Sequence, residues 1–217
     1  MHRFLTLALL PTLLLCACEE PDTPEAAGVR AAYQGLEYAA ETFDGEEAVS
    51  YVAQRSIDYY TGIVRLAIDG SKEQVLALPH IDVYEVIAMR NRVDLKELEK
   101  MDGRAWLVYS LSQDWSLDDE EEMEPIELGR ISVSGDYASA ALIDQGTRTG
   151  RFVDFYLEDG RWKIDLQSWD NLWNEQIEDA AAESEMEVIE FLLALEDYDY
   201  GLRPEVATWT PMRSWRR

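Results

Sequence analysis

Phe155-Tyr156-Leu157-Glu158-Asp159-Gly160-Arg161-Trp162-Lys163-Ile164-Asp165-Leu166 is the stretch that decides the fold. Two runs rich in aromatic and β-branched residues flank an Asp-Gly step, a strong short-range hairpin signal. In the second run Trp162, Ile164 and Leu166 fall on one side, and Arg161, Lys163, Asp165 and Gln167 on the other. That period of two predicts antiparallel strands buried on one face, from Phe152 to Leu157 and from Arg161 to Gln167. The same pattern extends upstream. Ile131 and Val133 alternate with Arg130, Ser132 and Ser134, Gly135-Asp136 makes a turn, Tyr137 to Ile143 returns, and residues 144–150 form a loop. The second half is therefore an antiparallel meander.

The first half has a helical period. Val29, Ala32, Tyr33, Leu36, Ala40 and Phe43 recur at three-four spacing on one face. Asp44-Gly45-Glu46-Glu47 reads as a capping box opening a helix whose stripe is Val49, Val52, Ser56, Tyr59/Tyr60, Ile63 and Ala67, stopped at Asp69-Gly70. Further starts lie at Ser71 to Gln74, Asp82 to Glu85 and Asp94 to Glu97. Asp102 caps a helix over residues 103–115. Past the meander, Trp173, Ile177, Ala181, Ser184, Val188, Leu192 and Leu195 predict one long acidic helix. The C-terminus then inverts the charge, with Arg203, Arg213, Arg216 and Arg217 near Trp209 and Trp215. A tail folded back on the acidic helix is the expectation, a partner or membrane-surface segment the alternative.

Helices first and then hairpins ending in Asp159-Gly160-Arg161-Trp162-Lys163-Ile164 resemble the nuclear-transport-factor-2-like, or cystatin-like, superfamily over residues 44–167. The resemblance implies an α+β fold with N-terminal helices packed on a curved, cone-like antiparallel sheet. The long helix after the last strand and the C-terminal tail depart from that family's minimal pattern. Enzymes of the superfamily, ketosteroid isomerase and polyketide cyclases among them, use a carboxylate base with Tyr or Asp donors in an apolar pocket. Its parts here would be Asp154 as the candidate base, with Asp58 a further carboxylate, and Tyr59, Tyr60, Tyr84, Trp106 and Tyr156 as pocket candidates. Set against this, Asp154 is an edge or solvent-face residue, and Tyr59 and Tyr60 belong to the core.

At the other end, Met1-His2-Arg3 precedes an apolar run from Phe4 to Leu15. Twelve helical residues reach roughly 18 Å, short of the ~30 Å hydrocarbon layer, so the run reads as a secretory leader and not a span. Leu15-Cys16-Ala17-Cys18 resembles the lipobox of bacterial lipoproteins, with Cys16 where Ala, Ser, Thr or Val is commoner. The resemblance implies cleavage before Cys18, lipid on Cys18, and a cell-envelope location; an ordinary leader that leaves a free thiol is the alternative. Glu19 in place of an aspartate is compatible with the periplasmic face of the outer membrane in a Gram-negative cell. The organisation expected is a signal peptide over 1–17, a disordered tether over 18–28, one domain over 29–200 and a basic, Trp-containing tail over 201–217.

The chain carries 19 Lys/Arg against 44 Asp/Glu, net −25, and losing Arg3 with the leader takes it to −26. Such a surface repels polyanions, so no nucleic acid is expected as a partner. His80 and Cys18 are the sole His and Cys after the leader, which excludes an intrachain disulfide, a Cys/His zinc site and a Cys–His pair. No glycine-rich phosphate loop is present, and no cofactor is expected. Asp118 to Glu124 is an acidic run without glycine, read as a solvated loop in preference to a calcium site. Together these features predict an anchored, non-enzymatic module that binds a small apolar ligand or an envelope protein. An isomerase-like enzyme and a cation-binding protein are the alternatives.

Overall fold

The computed structural model describes residues 22–113, 126–202 and 208–216. Its class is α+β: helices make up the first half, a four-stranded antiparallel sheet in the order β1-β2-β3-β4 follows, and further helices close the chain. Cys18 and the 118–124 run lie outside the described residues.

Helix α1, Pro24–Glu41, starts inside the stretch expected to be a tether. Thr23 caps it by accepting from the Ala26 N–H, and Pro24 at the first turn costs no hydrogen bond. Its buried face holds Val29, Ala32, Tyr33, Leu36 and Ala39. Phe43, expected on that face, is instead 44% exposed. It sits past the helix end at φ 55°, where the Phe43 N–H reaches Ala40 O and the Asp44 N–H reaches Ala39 O. This is a left-handed C-terminal cap of the kind that favours glycine. Phe43→Gly should therefore raise stability by about 0.5–1 kcal/mol, read from chemical denaturation. An unchanged or lower midpoint would show that the exposed ring has packing value that outweighs the backbone strain.

The helix expected from Asp44 to Ala67 is two helices, α2 (Gly45–Ser50) and α3 (Gln54–Asp69). The break is tertiary in origin. The backbone at Tyr51–Ala53 lies parallel to Ile164, accepting its N–H at Tyr51 O (2.7 Å) and donating from Ala53 N–H to its carbonyl (2.8 Å). The open edge of the last strand is thereby paired at Ile164, which outweighs continuing a helix through Val52. Then come α4 (Lys72–Leu76), with the expected capping box at Ser71 and Gln74, and α5 (His80–Arg92). Helix α5 begins two residues before the expected Asp82 start. After α6 (Leu95–Leu98) comes α7 (Gly103–Leu111), capped as expected by Asp102, which accepts from the Ala105 N–H. Gly103 is where α7 meets α3: a Cβ there would lie 2.0 Å from Ile57 O.

The sheet is β1 (Glu127–Ser134), β2 (Tyr137–Asp144), β3 (Thr147–Glu158) and β4 (Arg161–Asp165). Asp159 and Gly160 both have positive φ, 51° and 75°, as the expected Asp-Gly hairpin requires. The expected loop over 144–150 is a two-residue turn at Gln145-Gly146, and β3 begins at Thr147. Leu166 leaves β4 for a 3-10 turn, Leu166–Trp169. The long acidic helix is α8 (Asp170–Glu183) followed by α9 (Val188–Tyr200). Glu185 at φ 56° breaks it, with a cap from the Met186 N–H to Ala181 O. The break lets α9 bury Leu192 and Glu196 completely and pack on α5.

The described residues hold two hydrophobic centres. The first lies between α1, α2 and the inner sheet face of Ala138, Ala140, Leu142, Val153, Phe155 and Ile164. The second is wholly helical and joins Ile63, Val83, Ile87, Met89, Trp106 and Leu192 to Trp209 and Met212. Tyr60 packs on both. The C-terminal residues are thus part of a core. Arg213 pairs with Asp69 (3.3 Å) and Glu99 (3.7 Å), so this segment meets α3 and the residue after α6, and through the second centre it shares a core with Leu192 of α9. Among the described residues no helix is long and apolar enough to cross a membrane.

Candidate functional site

Three of the five sequence-predicted pocket residues converge where α3, α5, α7 and α8 meet. Helix α5 has almost no solvent face, since Val83, Val86, Ile87, Ala88 and Met89 surround its acids. Asp82 is consequently 1% exposed, and the Tyr59 hydroxyl donates to its Oδ2 at 2.5 Å. One turn on, Glu85 accepts from the Trp106 indole N–H at 3.2 Å. Tyr60 stands edge-on to Tyr59, with ring centroids 5.9 Å apart. Asp170, at the start of α8, completes the group.

The electrostatics of this group are those of carboxylates taken out of water. Burial pushes the Glu85 carboxyl up to about 7, the Trp106 N–H opposes, and the charge of Asp82 adds to the rise. Asp170 is likewise raised to about 7 by burial and then by the charges of Asp82 and Asp165. Burial raises Asp82 as well, against the Tyr59 hydrogen bond. Desolvation first, then the neighbouring acids, push both tyrosine hydroxyls above their ordinary value. Glu85 and Asp170, protonated at mildly acidic pH and charged above about 7, stand near the Tyr59 phenol as the parts of a general base with a donor would. Asp82 is nevertheless closed off from solvent.

The other predicted residues go elsewhere. Tyr84 faces the Arg92–Glu196 pair, its hydroxyl accepting from the Arg92 guanidinium at 2.8 Å. Asp58 is exposed and accepts from Gln54 Nε2. Asp154 and Tyr156 lie on the outer sheet face, because their neighbours Val153 and Phe155 take the inner one. The Tyr137 hydroxyl donates to Asp154 Oδ1 at 2.8 Å, and the Arg55 guanidinium stacks 4.9 Å above the Tyr156 ring. Asp154 therefore has its tyrosine partner but sits at the surface, half-exposed, and not inside a pocket. Among the described residues no group of three or more His, Cys, Asp or Glu could hold a metal ion.

Sequence reasoning passed over Asp82, Glu85 and Asp170, taking the first two as the start of a helix. The local sequence carries no clear signal for them, since α5 mixes Asp82, Glu85, Arg90, Asn91 and Arg92 with its apolar residues and is buried by the elements packed around it.

A cleft of about 270 Å³ lies between α1 and β1, lined by Arg30, Tyr33, Gln34, Glu37 and Ile126 to Leu128. The Tyr33 hydroxyl donates to Ile126 O at 2.5 Å. The Arg30 guanidinium donates to Leu128 O at 2.6 Å and to Gly129 O at 3.3 Å, and it pairs with Asp22 at 2.7 Å. Burial raises the Glu37 carboxyl, with the Tyr33 hydrogen bond opposing. No family model, curated protein or solved structure matches this chain.

Proposed function

We propose that this chain is an envelope lipoprotein, anchored by lipid on Cys18, whose cone-like domain of nuclear-transport-factor-2 type is a non-enzymatic module binding another envelope protein. The observation that carries the reading is the filling of the inner sheet face. Phe155, Ile164 and Ala140 there are fully buried under Val29, Tyr33 and Leu36 of α1. A small apolar ligand would have to enter at that face in a fold of this type, where the side chains of α1 already pack against the strands. The closed Asp82–Tyr59 pair disfavours catalysis in the same way, since a base must reach its substrate within hydrogen-bond distance. Binding is left to the surface, where a protein partner is the fitting occupant.

The test is native mass spectrometry of the lipidated protein extracted from membranes, together with cross-linking in cells. The protein should carry the mass of a lipidated chain beginning at Cys18 and no further small molecule. Cross-links to a discrete partner should disappear in Cys18→Ala, which should remain an uncleaved precursor. A stoichiometric apolar molecule held in the folded protein would overturn the reading in favour of a ligand carrier. Normal processing of Cys18→Ala would remove the anchor.

A further inference from the structure

The two edges of the sheet are treated differently. Tyr51–Ala53 covers β4, whereas β1 has no strand beyond it among the described residues. The first half of the β1 edge is partly occupied: Tyr33 and Arg30 bond the carbonyls of residues 126, 128 and 129, and the register shifts between Leu128 and Ile131. Among the described residues the second half is not protected in this way. Ser134 and Tyr137 close a two-residue hairpin, and closing pairs of such hairpins are hydrogen-bonded. Alternation then gives Ser132 and Ser134 to β2 and turns the backbone N–H and C=O of Ile131 and Val133 outward. The side chains of these two residues are half-buried on the inner face, at the rim of the core. Native edges are usually blunted by lysine, proline or a cover. Over Glu127–Ser134 the chain offers Arg130 as its single basic residue and no proline.

We infer that this edge receives an extended, basic segment of a partner protein, which adds a strand beside Ile131 and Val133 and places a cationic side chain in the α1–β1 cleft. The inference rests on the reading of the chain as a binding module and names the chemistry of its partner. Main-chain bonds to an exposed edge give such a complex its affinity, and pockets for alternate side chains give its specificity. The cleft begins at Leu128, three residues or about 10 Å along the edge from Ile131, within one short strand's reach. Its acids, Glu37 and Glu127, favour a Lys or Arg, because the Arg30 charge is already paired with Asp22. A second copy of the chain is the poorer occupant, since two bodies of net charge −25 repel.

The test uses a nine-residue peptide alternating lysine with valine, its alternately N-methylated form, and a peptide with glutamate for lysine. Binding to the purified protein is read by calorimetry, with amide exchange over 130–134. The lysine peptide should bind and slow exchange at Ile131 and Val133. N-methylation should weaken it at least about tenfold, which is about 1.4 kcal/mol. The glutamate peptide should not bind. Val133→Pro removes one outward N–H without touching the ladder to β2 and should weaken binding by a similar factor. Glu37→Lys together with Glu127→Lys should do so without altering the edge. Equal binding of the N-methylated peptide, or an unaffected Val133→Pro protein, would overturn the inference and leave only charge attraction. A dimer that Val133→Pro abolishes would overturn it in favour of self-pairing. Cross-links in cells that survive Val133→Pro would sink the edge and leave the binding-module reading intact.

Discussion

Arg90→Ala should destabilise the protein by about 4 kcal/mol, a large share of the 5–15 kcal/mol typical of a domain. Arg90 is fully buried and donates to four carbonyl oxygens: Ala67 at 2.8 Å, Leu66 at 2.9 Å, Gly70 at 2.6 Å and Thr208 at 3.0 Å. Three of these belong to the last turn and cap of α3, so the guanidinium occupies the negative end of that helix, where Leu66 O also accepts from the Gly70 N–H. The fourth ties Thr208, and with it Trp209 and Met212, to the helical core. Burial lowers the Arg90 pKa to about 10, still far above neutrality, so the group stays charged. Alanine removes a charged donor from buried carbonyls and leaves a void of several methylenes. A melting point lower by about 12 °C, with fast amide exchange over 208–216, is the expected result. Arg90→Lys should recover part of the loss, because three donors replace a five-donor fork. A loss below about 1 kcal/mol in Arg90→Ala would mean that water replaces the guanidinium, and that the C-terminal segment is held by apolar contacts alone.

No local pattern could have disclosed Arg90, whose partners lie 20 to 118 residues away. The same reason separates what the sequence made legible from what it did not. Hairpin chemistry is local, so Asp159-Gly160 and the alternation of Trp162 and Ile164 located β4 and its inner face. Caps are local too, and Asp44, Ser71 and Asp102 opened helices where expected. The failures came from contacts across the chain. Val52 fits a helical stripe, but pairing with Ile164 governs it; Ser184 fits a heptad, but burying Leu192 requires a break. For the site, helical spacing brought Tyr59 and Tyr60 to the right place. Asp154 was read both as a pocket base and as a solvent-face residue, and which of these holds depends on whether other elements cover that face. Depth is a property of the assembled layers, and it decides which carboxylates are perturbed.

The perturbed carboxylates give the second large effect, a stability that falls as pH rises from about 4.5 to 7. Glu85 and Asp170 have folded-state values near 7, against 4.5 and 3.8 when unperturbed. Between those limits the folded protein holds protons that the unfolded chain has released. The unfolded state then binds fewer protons, and the slope of stability with pH is negative. The stabilisation is fully present below the unfolded values and is lost as pH rises through about 7. Asp82, raised in the same direction, adds to the trend, and so does the growing repulsion within a chain of net charge −25. Asp22 and Glu73 act oppositely: hydrogen bonds from Arg30 and Ser71 hold their carboxyls low, so their small, screened contribution is lost on acidification. Allowing for the partial exposure of Asp170, the two dominant groups together should contribute about 2 kcal/mol, a melting point roughly 6 °C higher at pH 5 than at pH 8. Glu85→Gln with Asp170→Asn should flatten that dependence and raise stability at pH 8, because uncharged amides accept the Trp106 hydrogen bond without the cost of burying charge. Thermal unfolding across this range, paired with the carboxyl-carbon NMR titration of Glu85, checks both parts. A melting point that climbs from pH 5 to 8, or a Glu85 midpoint near 4.5, would mean that water reaches the acids between α5 and α8 and solvates their charge.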